Sequence, residues 1–392
     1  MSTYMLISSD SHIIEPPDLW EQRIAREFRD RAPRLVHEAE ADQWYADGVP
    51  FGNIGINQQA GVRFETPDQL TIEGCMATVP RGGVDPHAHV MDMDTDTVAG
   101  AVLYPSQGLT VYRTPDSLLL SAIFRAYNDW LADFCQPYPH RLKGIAMLNV
   151  DDVKDAVGEL DRAATLGLAG AMIPIRPLEH RYDHPMYEPL WAAAQDLAMP
   201  LSLHVGTRRW QPGMDLNAPS LTRDVVATSN REYEVREAIA AMIFGGVFER
   251  YPHLKVGAVE FEVAWAPYFM SRMDDIYTSR AVGVGRRRFK HNILPSDFFR
   301  YNIFLSFQED AVGIQLRSHI GVENLLWASD YPHAESTFPR SRAIVDRMLQ
   351  RVPEVEQVQL AGANTARLYH FSMENLCPHA TIVGAWREDA YV

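Results

Sequence analysis

Cysteine is scarce in this sequence. Its three thiols, Cys75, Cys135 and Cys377, are odd in number and far apart. That spacing excludes a disulfide framework and a CxxC metal knuckle, and it fits a reducing compartment. Positive charge is also short: 36 Lys and Arg stand against 51 Asp and Glu, a formal net charge of −15. A phosphate-binding surface needs clustered cations, so no nucleic-acid partner is expected. The single basic run, Arg286 to Arg288 with Lys290, reads as a solvated loop or a subunit contact. No apolar run reaches the length of about 18 residues that a membrane span requires. The opening residues soon carry Asp10, Glu15 and Asp18 and do not read as a secretory leader. These absences predict a cytoplasmic protein with no membrane partner. What remains is an ordinary globular composition, 46% hydrophobic and 22% charged, enough to bury a sizeable core.

Short apolar runs rich in β-branched residues recur along the chain, separated by segments of helical periodicity. The strands are read as Met5–Asp10, Val98–Pro105, Leu142–Asn149, Ala169–Ile175, Leu201–Gly206, Val256–Phe261, Ile303–Phe307 and Leu325–Asp330. This alternation marks βα units and a parallel sheet, and eight such strands close a (β/α)8 TIM barrel. Helical stripes fall at Asp151–Leu166, Pro185–Ala198 and Glu232–Tyr251. The expected organisation is a single α/β barrel over residues 1–372 with a C-terminal arm over 373–392. A long insertion at about 13–97 follows the first strand and partly covers the barrel mouth. The arm, through Trp386, suits packing on another subunit, so a homo- or hetero-oligomer is expected.

The metal-capable residues fall at the C-terminal ends of predicted strands, where barrel enzymes place their active sites. Asp10 and His12 follow the first strand, and period two points them to one side. His204 ends the fifth strand, Glu260 the sixth and Asp330 the eighth, with His333 just beyond. Two imidazoles and several carboxylates on one rim suit a divalent ion of the Zn, Mn or Fe type. Glu15 is either a further ligand or a cap for a helix around Asp18–Arg26. His87 and His89 have HxH spacing, but they sit beside a helix at the wrong end of the barrel and are set aside. Arg176, His180 and Arg181, beyond the fourth strand, are candidates for receiving a substrate carboxylate. Trp44 and Trp210 are candidates for walling the pocket.

Taken together, several motifs resemble the amidohydrolase-2 family. They are Asp10-Ser11-His12-Ile13-Ile14-Glu15-Pro16-Pro17, Leu203-His204-Val205-Gly206, Trp327-Ala328-Ser329-Asp330-Tyr331-Pro332-His333 and Gly362-Ala363-Asn364-Thr365-Ala366-Arg367-Leu368. The resemblance implies a metal-dependent barrel whose ligands map to Asp10, His12, His204 and Asp330. Its better-known members are hydrolases or non-oxidative decarboxylases such as aminocarboxymuconate semialdehyde decarboxylase. The sequence departs from them at Asp10, where HxH or ExH is usual, and at Glu260, where the catalytic histidine is expected. The DxHxxEP variant is similar to a branch that includes dinuclear oxygenases of the 2-aminoisobutyrate hydroxylase type.

Three functions follow as expectations. The first is an O2-dependent hydroxylase with a di-iron or Mn/Fe pair, in which Glu15, Glu260 and His333 help to hold a second ion. The second is redox-neutral hydrolysis or decarboxylation at a single ion, with Glu260 or His333 transferring protons. The third is a structural partner subunit of a catalytic paralogue. In each enzymatic reading the substrate is a small molecule that carries a carboxylate.

Overall fold

A computed structural model describes residues 4–39, 41–211, 213, 225–279 and 289–379. The basic run at 286–288 and the far part of the arm, with Trp386, lie outside the described residues. The first barrel strand, β1, spans Leu6–Ile13. A small antiparallel sheet follows, made of β2 (Arg34–His37), β3 (Asp42–Ala46) and β4 (Val49–Asn53). The chain then supplies β5 (Val98–Pro105), β6 (Leu142–Met147), β7 (Gly170–Ile173) and β8 (Leu201–His204). The last three barrel strands are β9 (Val256–Val259), β10 (Ile303–Phe307) and β11 (Leu325–Trp327). All hydrogen-bonded neighbours in the order β1-β5-β6-β7-β8-β9-β10-β11 run parallel. The eight-stranded α/β barrel predicted from alternation is therefore present.

Parallel strands covered on both faces read as continuous apolar runs, and nearly every residue of these eight is buried. The intervening helices begin where carboxylates can accept their free N–H groups. Asp85 caps Pro86–Thr95, Asp116 caps Ser117–Cys135 and Asp152 caps Val153–Thr165. The helix expected over Glu232–Tyr251 is broken in two, Glu232–Phe244 and Val247–Arg250. Gly246 between them has φ +69°, a left-handed turn that glycine adopts without strain.

Closure between β11 and β1 is what assembles the site. The Asp330 N–H donates to the Asp10 carbonyl at 2.9 Å, and the His12 N–H to the Tyr331 carbonyl at 2.6 Å. The register of β1 against β5 shifts between Ser8 and Ser11. Serine hydroxyls take up the backbone groups freed there: Ser8 Oγ donates to the Asp10 carbonyl at 2.8 Å and accepts from the Ser329 N–H at 2.9 Å. The run Ser8-Ser9-Asp10-Ser11 thus stitches the seam beside the metal-capable residues.

The insertion reaches over this seam. Ala60 N–H donates to the Pro332 carbonyl at 3.0 Å and Arg63 Nε to the Ser336 carbonyl at 2.8 Å. Trp44 is not a pocket wall. It is fully buried and packs edge-to-face on Trp20 with ring centroids 5.3 Å apart, so its role is in the core of the insertion.

Candidate metal centre

Asp10, His12, His204 and Asp330 meet at the C-terminal rim, each no more than 1% exposed. His12 Nδ1 lies 2.8 Å from the Pro105 carbonyl and His204 Nδ1 lies 3.0 Å from the Val205 carbonyl. A carbonyl only accepts, so both Nδ1 atoms carry a proton and each ring turns its Nε2 inward. Those two nitrogens, with Oδ1 of Asp10 and Oδ1 of Asp330, are buried and have no hydrogen-bond partner. His12 Nε2 is 3.3 Å from Asp10 Oδ1 and 3.2 Å from Asp330 Oδ1, while His204 Nε2 is 3.4 Å from Asp10 Oδ1. Donors about 2.1 Å from one ion stand about 3.0 to 3.4 Å apart. Three contacts of that spacing link these four atoms, which suits a divalent cation because buried polar atoms without partners are costly. Asp330 groups with His12 and His333, and Asp10 and His204 group with His12 and Glu260.

The electrostatics point the same way. Burial by itself would raise the Asp10 carboxyl, but His204 and His12 outweigh it and hold the group below the usual carboxylate range. Burial would likewise lower His12, yet Asp10 and Asp330 push it well above 6.5. The cluster therefore demands positive charge, and metal binding would displace any proton held there. Glu260 is raised well above the usual range by burial, reinforced by Asp330 and Asp10 and opposed by Arg231. Its Oε2 lies 3.5 Å from His204 Nδ1, and it joins Asp10, His12 and His204 in one group of ligand atoms. Glu260, Glu262 and Asp330 all have left-handed backbones, with φ of 66°, 52° and 57°. Such strain in non-glycine residues persists where the fold holds it, often at functional sites.

His333 stacks on His12 with ring centroids 3.9 Å apart. Its Nδ1 lies 3.0 Å from Asp330 Oδ1 and its Nε2 3.0 Å from Ser106 Oγ. Both ring nitrogens are thus engaged, and the ring braces Asp330.

The structure does not bring Glu15 into the group. Its two oxygens accept the backbone N–H groups of Gln107, at 2.9 Å, and Gly108, at 2.8 Å. It fastens the turn after β5 and caps no helix at Asp18. Arg176 and His180 also stand apart. Arg176 is exposed and bridges Arg208 through its backbone, while His180 is exposed and stacks on His184 at 3.9 Å. Neither lines the cavity of about 460 Å³, whose wall includes none of the four centre residues and approaches Glu260 through Arg231. That cavity is walled by Arg231, Glu262 and Gln308 and roofed by Arg63 and Leu70–Ile72 of the insertion. The cation facing the centre is Arg231, with Nη1 3.9 Å from both Glu260 Oε1 and Glu335 Oε2. Sequence reasoning missed it because it precedes a helix instead of ending a strand. His89 is buried against the Gly82 carbonyl at 2.8 Å, outside the centre.

Fold and site together define a barrel enzyme with a carboxylate- and imidazole-lined centre at its C-terminal rim. The amidohydrolase family model, Amidohydro_2, matches residues 84–371, and the chain belongs to that family. The match begins after β1, so Asp10 and His12 rest on their geometry. A gamma-resorcylate decarboxylase from Rhizobium sp. (strain MTP-10005) is 25% identical over 281 residues, 66% of this chain and 79% of that protein. Among solved structures, an amidohydrolase from Mycobacterium avium subsp. paratuberculosis K-10 superposes with a TM-score of 0.74 at 19% identity, covering 95% of this chain and 100% of that one. A dihydroxybenzoic acid decarboxylase from Polaromonas sp. JS666, with bound manganese and an inhibitor, gives 0.64 at 19% identity over 95% of this chain and 99% of its own. At these identities the structural likeness speaks for the fold. Among the described residues, no helix is long and apolar enough to cross a membrane.

Proposed function

We propose that this chain is a metal-dependent, non-oxidative decarboxylase of a small carboxylic acid. Asp10, His12, His204 and Asp330 would hold one divalent ion. The observation that carries this reading is the convergence of four buried polar atoms without partners near a cavity with a cation, Arg231, in its wall. The likeness to gamma-resorcylate decarboxylases supports it, as does the manganese in a decarboxylase of the same fold.

A bound divalent ion would supply Lewis-acid polarisation of a substrate oxygen. Arg231 receives the substrate anion and, at 3.9 Å from Glu260, places the reacting carbon near that carboxyl. When the C–CO2 bond breaks, its electron pair stays on carbon. Glu260 protonates that carbon, CO2 leaves, and the glutamate regains a proton from solvent. His333 has no free ring nitrogen and acts as a positioning residue that orients Asp330.

This replaces the O2-dependent hydroxylation expected first from the motifs. Glu15, one of three residues expected to help hold a second ion, is bound to backbone N–H groups, and the relatives reported above that have a named reaction are decarboxylases. The metal-capable residues gathered within this one chain support a catalytic role over a purely structural one.

The test is CO2 release by manganese- or zinc-loaded protein from a panel of hydroxybenzoates and other small carboxylic acids, with and without oxygen. Equal CO2 release under both atmospheres, with solvent deuterium appearing at the vacated carbon, is expected. Oxygen uptake with a hydroxylated product would overturn the proposal.

A further inference from the structure

The insertion carries a second set of metal-ligating side chains, outside the barrel centre. His37 and Asp42 are direct cross-strand partners in the β2–β3 pair, with His37 Nδ1 2.5 Å from Asp42 Oδ1. Cys75 arrives from a loop that Asp42 grips on both sides of the thiol. The Asp42 N–H donates to the Gly74 carbonyl at 2.9 Å, and Asp42 Oδ2 accepts from the Met76 N–H at 2.7 Å. One nitrogen of His37, one oxygen of Asp42 and the sulfur of Cys75 lie within 4.8 Å of one another. Asp42 is buried, Cys75 half-buried and His37 exposed.

We infer that these three residues form a separate zinc-type site. An ion pair alone accounts for His37 and Asp42, but it gives no reason for a thiol held on both sides against them. A sulfur ligand disfavours Mg2+ and Ca2+, which take oxygen donors. A thiolate, an imidazole and a carboxylate together suit Zn2+ in tetrahedral geometry, with solvent in the fourth position on the exposed His37 side. Rotation of the exposed imidazole widens its contact with Asp42 to the spacing a shared ion needs. Binding releases the thiol proton to solvent, while the imidazole keeps one N–H on the ring nitrogen that faces away from the ion. The site joins the small sheet to the loop whose preceding residues, Leu70–Ile72, roof the cavity. It thereby braces the insertion. This inference stands independently of the decarboxylase reading.

The experiment uses the full chain loaded with Co2+ or Zn2+. The ligand group at the barrel centre contains no cysteine, so a thiolate-to-cobalt charge-transfer band reports the insertion site alone. Wild type is expected to show that band and to hold two zinc ions per chain after desalting. Cys75→Ser should abolish the band and hold one ion. His37→Gln, at a side chain 81% exposed and so tolerant of change, should also hold one ion. Asp10→Asn should lose the barrel ion and keep the band. Absence of the band in wild type overturns the site. So does a zinc count that neither Cys75→Ser nor His37→Gln lowers.

Discussion

Nε2 of His12, on the first barrel strand, lies 3.2 Å from Oδ1 of Asp330, just past the last, and both atoms are buried without a hydrogen-bond partner. The barrel seam brings them together: backbone bonds from the Asp330 N–H to the Asp10 carbonyl and from the His12 N–H to the Tyr331 carbonyl flank the pair. The two side chains are therefore held in place before any ion arrives, which is the pre-organisation a metal centre requires.

Removing a bare nitrogen at this centre should matter far more than removing a nearby charge. His204→Ala is expected to weaken metal binding by roughly 100-fold or more, since loss of a supporting partner alone costs about 10–100-fold. Glu262→Ala should retain its ion, because that carboxylate accepts from the N–H groups of Gln308 and Glu309 instead. Elemental analysis after dialysis checks both variants. Equal retention would show that His204 is no ligand.

Glu260 separates one ion from two. Glu260→Gln keeps volume and removes the transferable proton, so metal content should hold while kcat falls by about 100- to 10,000-fold. Loss of one of two barrel ions in this variant, with the Cys75 site already silenced, would point to a dinuclear centre.

Arg231 and Arg176 divide the choice of substrate anchor. Arg231→Gln should raise KM about 10- to 100-fold, as expected when a charge-assisted hydrogen bond worth about 1.5–3 kcal/mol is lost, with kcat less affected. Arg176→Gln should leave KM unchanged, since its side chain is exposed and does not line the cavity. The opposite pattern would return the carboxylate site to the loop after β7.

Asp96 should make stability fall with rising pH. Burial pushes its carboxyl up to about 7, against the lowering effect of its Ser341 hydrogen bonds. Oδ1 accepts the Ser341 N–H at 2.9 Å and Oδ2 accepts from Ser341 Oγ. Because the folded value is raised, the folded state holds its proton where the unfolded chain has already lost it. The contribution is complete below about pH 4 and is lost as pH rises towards 7, at up to about 1.4 kcal/mol per pH unit. Asp96→Asn removes this share, so urea unfolding across that range should give a flatter profile than wild type. Parallel profiles would refute it.

The sequence by itself determined the strands and the rim. Apolar runs and helical stripes are local patterns, and a chain with eight βα units has essentially one way to close. That closure places Asp10, His204, Glu260 and Asp330 at strand ends without further information. Tertiary structure decided which polar atoms are left bare. Glu15 looks like a ligand in the string, but the turn after β5 offers it two N–H groups and fixes it there. Arg231 looks like an ordinary helix start until the cavity opens beside it. Cys75 looks isolated until the insertion folds its loop onto Asp42. Periodicity says which way a side chain points along one element. Its partner across space depends on loop paths that no local pattern encodes.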